Sequence, residues 1–388
     1  MTGWIFKTLA TVAAAGAMSA ISYYALCMWC AWRFARSLKR PLALANSAWA
    51  PPVSILKPLK GVDPQIYKSF TSHCLQDYPE YEIIFGVSEG DDPALELVRR
   101  LQSEFPEKQI RSLVCEKKLG TNIKVSNLAQ MVTQARYDHL IVNDSDILVE
   151  PDYLRRTLAP LNDSKVGLVT NLYRGVAAST LGSRLEALGI STDFIAGVLV
   201  ARYLEGIRFG LGSTLAFRRS DLEAIGGFES FVDYLADDYE IGKRIAARGL
   251  EVRLSDQVVE TFLPAYSFSD FIRHQLRWAR SIRDSRLWGY AGLLFTFGLP
   301  WALLALFFSQ AAPWAWLLLA ATLLVRLSMA LSVGFFLLSD RQVLRFWWLI
   351  PLRDLGALFV WIASFAGHTV AWRGARFRLK DGKLARIS

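Results

Sequence analysis

Residues 8–32 carry no charged side chain. A helix needs about 20 apolar residues to cross the hydrocarbon core of a bilayer, so this stretch predicts a transmembrane helix, with 1–32 as an N-terminal anchor. It is too long for the apolar core of a cleaved leader, and no small-residue cleavage site precedes the basic segment. Arg33, Arg36, Lys39 and Arg40 follow at once. By the positive-inside rule they place the next part of the chain in the cytosol.

Between 51 and 286 the pattern changes to short apolar runs separated by amphipathic stretches. Val53-Ser54-Ile55-Leu56, Glu82-Ile83-Ile84-Phe85-Gly86-Val87 and His139-Leu140-Ile141-Val142 are β-branched runs bounded by turn residues, and helical spacing occupies 93–105 and 124–135. Strands alternating with helices predict a mainly parallel α/β sheet whose ligands bind at the carboxyl ends of its strands. Beyond it, 287–325 is again free of charge, enough for two tightly connected spans or one span and an interfacial piece, with Pro300 and Pro313 as break points. Apolar runs at 327–339 and 355–372 follow. Arg341, Arg345 and Arg353 draw the loop before the last run inside. Arg373, Arg376, Arg378, Lys380, Lys383 and Arg386 draw the tail, 373–388, to the same side. One of the runs in 287–372 is therefore re-entrant or interfacial, or the rule is broken. Arg326, inside the apolar region, either faces protein or marks a boundary.

Composition adds little to this division. An apolar share of 53% and a mean hydropathy of +0.25, beside 20% charged residues, fit a polar domain joined to membrane helices. The net charge of +9 concentrates around the apolar runs. That distribution fits an anionic membrane surface and argues against nucleic acid as a partner. Cys27 and Cys30 form a C-x-x-C pair inside an apolar run with no second pair to complete a zinc site, and Cys74 and Cys115 lie far apart, as in a reduced compartment.

The candidate chemistry follows the strands. Asn143-Asp144-Ser145-Asp146 comes directly after the run 139–142. Two carboxylates two residues apart at a strand's end, Asp144 and Asp146, can hold a divalent cation, Mg2+ or Mn2+, that also bridges diphosphate oxygens; turns are also simply rich in Asp. Asp92, in Ser88-Glu89-Gly90-Asp91-Asp92-Pro93, either receives a base or ribose group or caps the next helix. Lys124 ends the loop Gly120-Thr121-Asn122-Ile123-Lys124, where it can meet a diphosphate near a helix N-terminus. Asp238, in Ala236-Asp237-Asp238-Tyr239, is a candidate general base, with helix capping as the alternative. In Arg273-His274-Gln275-Leu276-Arg277-Trp278, Arg277 offers a bidentate diphosphate contact and Trp278 a floor for an acceptor, on what also reads as an interfacial helix.

In this order, Lys57-Pro58-Leu59-Lys60-Gly61, Asp91-Asp92-Pro93, Asp144-x-Asp146, Ala236-Asp237-Asp238-Tyr239 and Arg277-Trp278 resemble the ceramide glucosyltransferases, over about residues 53–278. The resemblance implies a GT-A (Rossmann-like) catalytic domain with flanking transmembrane helices, a UDP-sugar donor with UDP-glucose favoured, a lipid acceptor such as ceramide, and inversion. It assigns Asp92 and Asp144 to the nucleotide sugar and metal, and Asp238 to the base. His274 departs from the Gln or Arg of the family pattern. A bacterial branch, the hopanoid-associated glycosyltransferases, is similar as well, through Leu235-Ala236-Asp237-Asp238-Tyr239 and His274-x-Leu276-Arg277-Trp278. It implies N-acetylglucosamine transfer to a hopanoid as the near alternative, and an integral protein of a bacterial-type inner membrane with its catalytic domain, 51–286, in the cytosol.

The reaction expected is a single displacement. Asp238 takes the proton of the lipid hydroxyl, while the cation with Lys124 and Arg277 stabilises the leaving diphosphate. A processive polysaccharide synthase needs more spans than these runs provide. A non-enzymatic scaffold is disfavoured by the intact candidate acids, although fold alone never secures function.

Overall fold

The computed structural model describes residues 2–38, 49–372 and 375–387; Lys39, Arg40 and Arg373, counted above among the basic flanks, lie outside the described residues. Eight strands form one mixed sheet in the order β3-β2-β1-β4-β7-β6-β8-β5. They are β1 (Val53–Pro58), β2 (Tyr81–Val87), β3 (Gln109–Val114), β4 (His139–Val142), β5 (Ile147–Leu148), β6 (Val166–Val176), β7 (Leu215–Arg218) and β8 (Glu251–Phe262). β1 pairs in parallel with β2 and with β4, and β2 with β3. This is the parallel half that alternating strands and helices predict. Ile55, Leu56, Phe85, Leu140 and Val142 are fully buried there, because helices cover both faces and the strands read as continuous apolar runs.

Past β4 the sheet changes character. β7 runs antiparallel to both β4 and β6, whereas β6 and β8 are parallel. The chain leaves β1 toward β2 and β3, then returns to place β4 on the other side of β1. That reversal opens a crevice beyond Pro58 and Val142, where ligands of open α/β sheets bind. The Asn143 to Asp146 turn stands directly in it.

Among the described residues four helices are long and apolar enough to cross a membrane: Gly3–Leu38, Leu181–Leu204, Pro313–Leu337 and Arg341–Ser364. A fifth candidate is the pair Leu287–Thr296 and Gly298–Phe308, bent by 52°. The helices break at Phe297 and at 309–312, just before Pro300 and Pro313, each of which sits in the first turn of the helix that follows, where a missing N–H is harmless. Phe307, Leu317, Phe336 and Phe359 stand exposed on these helices, a distribution suited to lipid rather than water. Leu181–Leu204 runs within the 51–286 stretch, largely buried against the rest of the chain. Arg326 faces protein: it is almost fully buried and pairs with Asp193 on Leu181–Leu204 at 2.7 Å and with Asp354 at 2.9 Å.

The last apolar run, 355–372, is helical only as far as Ser364. Gly367, at φ 147°, begins a turn into β9 (Thr369–Trp372), which joins β10 (Ala375–Lys380) and β11 (Lys383–Arg386) in a separate antiparallel sheet. The basic side chains of the C-terminal segment therefore sit beside the eight-stranded domain.

Candidate active site

Asp144 leaves the sheet at the end of β4 because Asn143 anchors the turn. The Asn143 amide donates to Tyr153 Oη at 2.9 Å and to the Ser213 carbonyl at 2.8 Å. Beneath it, the fully buried Lys57 donates to the Asp144 carbonyl at 3.0 Å and lies 3.5 Å from His73 Nε2. Burial lowers the Lys57 ammonium to about 7 against the pull of Asp146 and Asp144. His73 is held well below its ordinary value by burial and by Lys57. The turn thus rests on a base that discourages extra positive charge.

Above this base the carboxylates converge. Lys124, in the first turn of the helix Ile123–Met131, places Nζ 2.7 Å from Asp144 Oδ1 and 3.5 Å from Asp237 Oδ2. Burial works against the Lys124 charge, but Asp144 and Asp237 outweigh it and hold its pKa above the ordinary value. Asp237 and Asp238 begin the helix Asp237–Ala247, whose N-cap is Ala236, so neither acid is the cap. Asp237 is buried and accepts from Asn122 Nδ2 at 3.4 Å. Asp238 is half-buried and pushed up to about 7 by burial and by Asp237. Asp146 accepts from Thr261 Oγ1 at 2.5 Å, and burial and Asp144 raise it to about 6.

A glycine keeps the centre open. Gly212 belongs to a tight loop pinned by Thr170 Oγ1, which donates to the Thr214 carbonyl at 2.7 Å and accepts from Leu211 N at 2.9 Å. A Cβ at Gly212 would lie 3.1 Å from Asp238 Oδ2 and 3.5 Å from Asp144 Oδ2. Acids from two separate helix and strand ends therefore face one small space, and any larger residue at 212 would enter it.

Beside this centre, a cavity of about 410 Å³ opens at the carboxyl ends of β1, β2 and β3, lined among others by Ser88, Asp92, Lys117, Thr121 and Asn127. Asp92 precedes Pro93, the N-cap of the helix Ala94–Glu104. Its carboxylate fixes the backbone by accepting from Gly61 N at 3.0 Å and Ala94 N at 2.9 Å, and it lines the cavity. Arg277 and Trp278 lie on the helix Phe268–Ser285, on another side of the site. Trp278 packs against Phe194 at 5.5 Å and His274 at 5.4 Å between ring centroids. His274 Nδ1 stands 3.2 Å from the buried Glu186, which also accepts from Gln275 at 2.7 Å.

The family model described as Glycosyl transferase family 21 matches residues 12–385. The chain belongs to that family. Among curated relatives, Ceramide glucosyltransferase 1 of Caenorhabditis elegans is 25% identical over 351 residues, covering 87% of this chain and 74% of the relative. A ceramide glucosyltransferase of Komagataella phaffii is 34% identical over 116 residues, covering 29% of this chain and 23% of the relative. Among solved structures, a mannosyltransferase from Pyrobaculum calidifontis, in complex with GDP-Man and Mn2+, aligns with a TM-score of 0.51 at 20% identity, over 92% of this chain and 99% of that one. The fold is thus that of a GT-A glycosyltransferase, and this family 21 chain is a glycosyltransferase.

Sequence reasoning singled out Lys124, Asp144, Asp146 and Asp238, which the fold gathers around one space. The fold places Asp92 in a neighbouring cavity wall, and Arg277 and Trp278 on the helix Phe268–Ser285, where Trp278 joins an aromatic cluster. Sequence reasoning missed Gly212, Asn122, His73 and Tyr173. Tyr173 is nearly buried, stacks near Phe194 at 5.7 Å between ring centroids, and is held well above its ordinary pKa by burial and by Asp238 and Glu186. Only Asn122 left a sequence signal, as a residue type favoured for starting a helix.

Proposed function

We propose that this glycosyltransferase transfers a hexose, glucose foremost, from a UDP-sugar to the hydroxyl of a membrane lipid such as ceramide, with inversion. The observation that carries the reading is the shared space at Gly212, faced by Asp144 from the end of β4 and by Asp238 from the start of Asp237–Ala247. Asp238 is the better base of its pair. It is half-buried and open to that space, whereas Asp237 is committed to Lys124 and Asn122. A carboxyl pushed up to about 7 accepts a proton readily near neutral pH. Lys124 stands where it can meet a leaving diphosphate, at the first turn of a helix.

A divalent cation fits these residues. Asp144 and Asp146 repel one another, the Asp144 side chain is 40% exposed, and among the described residues no three His, Cys, Asp or Glu side chains form a closed cage. That is the open donor set of Mg2+ or Mn2+, which fills its other positions with water and substrate oxygens. When bound, the cation neutralises charge on the diphosphate. The apolar helices bring the site beside a membrane, so that an acceptor headgroup can reach it while its tails stay in lipid. The basic residues Arg33 and Arg36 at the end of the first helix support a cytosolic catalytic domain.

The test is incubation of purified protein with a panel of UDP-sugars and total membrane lipid, followed by mass spectrometry of new glycolipids. A single hexosyl ceramide formed from UDP-glucose supports the reading. N-acetylhexosamine on a hopanoid, a polymer, or donor hydrolysis alone contradicts it.

A further inference from the structure

The cavity at the ends of β1 to β3 has a wall that does not come from the eight-stranded domain. Trp372 from β9, Ala375 and Phe377 from β10 and Arg386 from β11 close its outer side. These strands are the last described part of the chain, yet they are fastened to the loops that carry Lys124 and Asp238. Leu384 N donates to the Asp233 carbonyl at 2.7 Å, and Leu235 N to the Gly382 carbonyl at 3.0 Å. Thr121 Oγ1 donates to the Leu384 carbonyl at 3.2 Å, and Asp233 accepts from Thr121 N at 2.9 Å. A small core of Val370, Phe377, Leu379 and Leu384 closes on Leu235. From the other end, the Arg283 guanidinium donates to the carbonyls of Ser364 and Gly367, and Arg280 to that of Thr369.

The two walls differ in kind. On the domain side are polar groups able to bond the edge of a ring, among them Ser88 and Asp92 from the loop after β2 and Asn127 from the helix Ile123–Met131. On the C-terminal side are two aromatic side chains and an alanine. Lys117, Lys118 and Arg386 supply positive charge. Thr121 and Ile123 belong both to the cavity and to the loop that leads into Lys124. A flat heterocycle with polar edges, joined to an anionic tail that points toward Lys124, has the matching chemistry.

We propose that the C-terminal sheet is part of the donor site: Trp372, Ala375 and Phe377 form the wall on which the nucleobase of a nucleoside diphosphate lies, and Arg386 is a cation at its rim. This inference rests on the donor reading above. It makes the final strands a specificity element for the nucleotide rather than a tail.

Full-length protein in detergent carrying Ala375→Trp, which fills the cavity from a position outside the buried core of the sheet, is compared with Ala375→Ser and Arg386→Ala by calorimetry with UDP. Ala375→Trp is expected to weaken UDP binding at least about tenfold. Arg386→Ala should weaken it less and flatten its salt dependence; Ala375→Ser should change nothing. The loss should appear in donor KM ahead of acceptor KM. Arg386 is exposed, so Arg386→Ala keeps the test valid should Ala375→Trp disturb the sheet. UDP affinity within twofold of wild type in both variants overturns the inference and leaves the donor reading standing. If wild type ignores UDP but binds GDP or ADP, and Ala375→Trp abolishes that binding, the UDP reading falls and the inference stands. If wild type binds no nucleoside diphosphate, both fall.

Discussion

Two sets of ion pairs in this molecule are assembled from the same parts and finished differently. Among the apolar helices, Arg326 bridges Asp193 and Asp354, and Arg353 reaches Asp193 by lying across Gly189, where a Cβ would collide with its guanidinium. Each acid there has an arginine, and the group ties Leu181–Leu204 to the two C-terminal apolar helices. At the end of β4, by contrast, Lys124 serves both Asp144 and Asp237, while burial and the neighbouring carboxylates push the Asp238 and Asp146 carboxyls up. The first set is balanced and closed. The second is over-supplied with carboxylates beside a space that Gly212 keeps open. Burying like charges together raises their proton affinity and is unfavourable unless something else compensates, and such clusters gather at functional sites. The comparison separates a structural ion network from a chemical one without recourse to sequence motif.

The largest effect that could break this contrast is removal of divalent metal. Excess chelator should abolish transfer, and added Mg2+ or Mn2+ should restore it; full activity in chelator would mean that the acidic excess has another purpose. Next in size is Gly212→Ala. A methyl group set between Asp144 and Asp238 should lower turnover by about a hundredfold, as misplacement of reacting groups by an ångström does, with little change in melting temperature. If transfer survives, the space is not where the chemistry occurs.

The closed network should answer in stability instead. Asp354→Asn leaves Arg326 with a lost partner in a buried position, a change of about 3 to 5 kcal/mol where such pairs have been broken. A clear drop in melting temperature in detergent is expected, while the UDP affinity of the folded fraction stays as in wild type. Smallest is the converse test in the open cluster. The Asp238 carboxyl is raised in the folded protein to about 7, so its contribution to stability is fully present below its ordinary unfolded pKa and is lost as pH rises through 7. Asp238→Asn should therefore melt a few degrees above wild type at pH 8, the difference vanishing below about pH 4. A variant less stable than wild type at pH 8 would show that Asp238 is a structural residue.

How much of this could be read from the sequence follows from which contacts are local. The turn Asn143 to Asp146 announces itself because a β-branched run ends there, and Lys124 because a helix begins one residue before it. Both depend on neighbours in the chain. Gly212 gave no sign, because its role is set by Asp144 and Asp238, which reach it from other parts of the fold. The helix Leu181–Leu204 escaped because Arg184, Glu186 and Asp193 interrupt its apolar pattern, and only the folded chain shows Asp193 paired with Arg326 and Arg353. The mainly parallel sheet was legible where crossovers are local, in β1 to β4. It was not legible in β6 to β8, where pairing joins strands across long excursions. The run 355–372 looked uniform by charge alone, and the turn at Gly367 into β9 depends on Arg283 and Arg280 gripping carbonyls on either side of it.

The central claim is that Asp238 acts on the acceptor's proton while Asp144 belongs to the donor. It is tested most directly by measuring UDP affinity by calorimetry beside turnover for Asp238→Asn and Asp144→Asn. The account predicts that Asp238→Asn loses about a hundredfold to ten-thousandfold in rate and keeps UDP affinity near wild type, whereas Asp144→Asn loses both. Equal loss of UDP binding in the two variants would make Asp238 a donor-site residue and pass the role of base to Asp237. Retention of most activity by Asp238→Asn would contradict the mechanism itself.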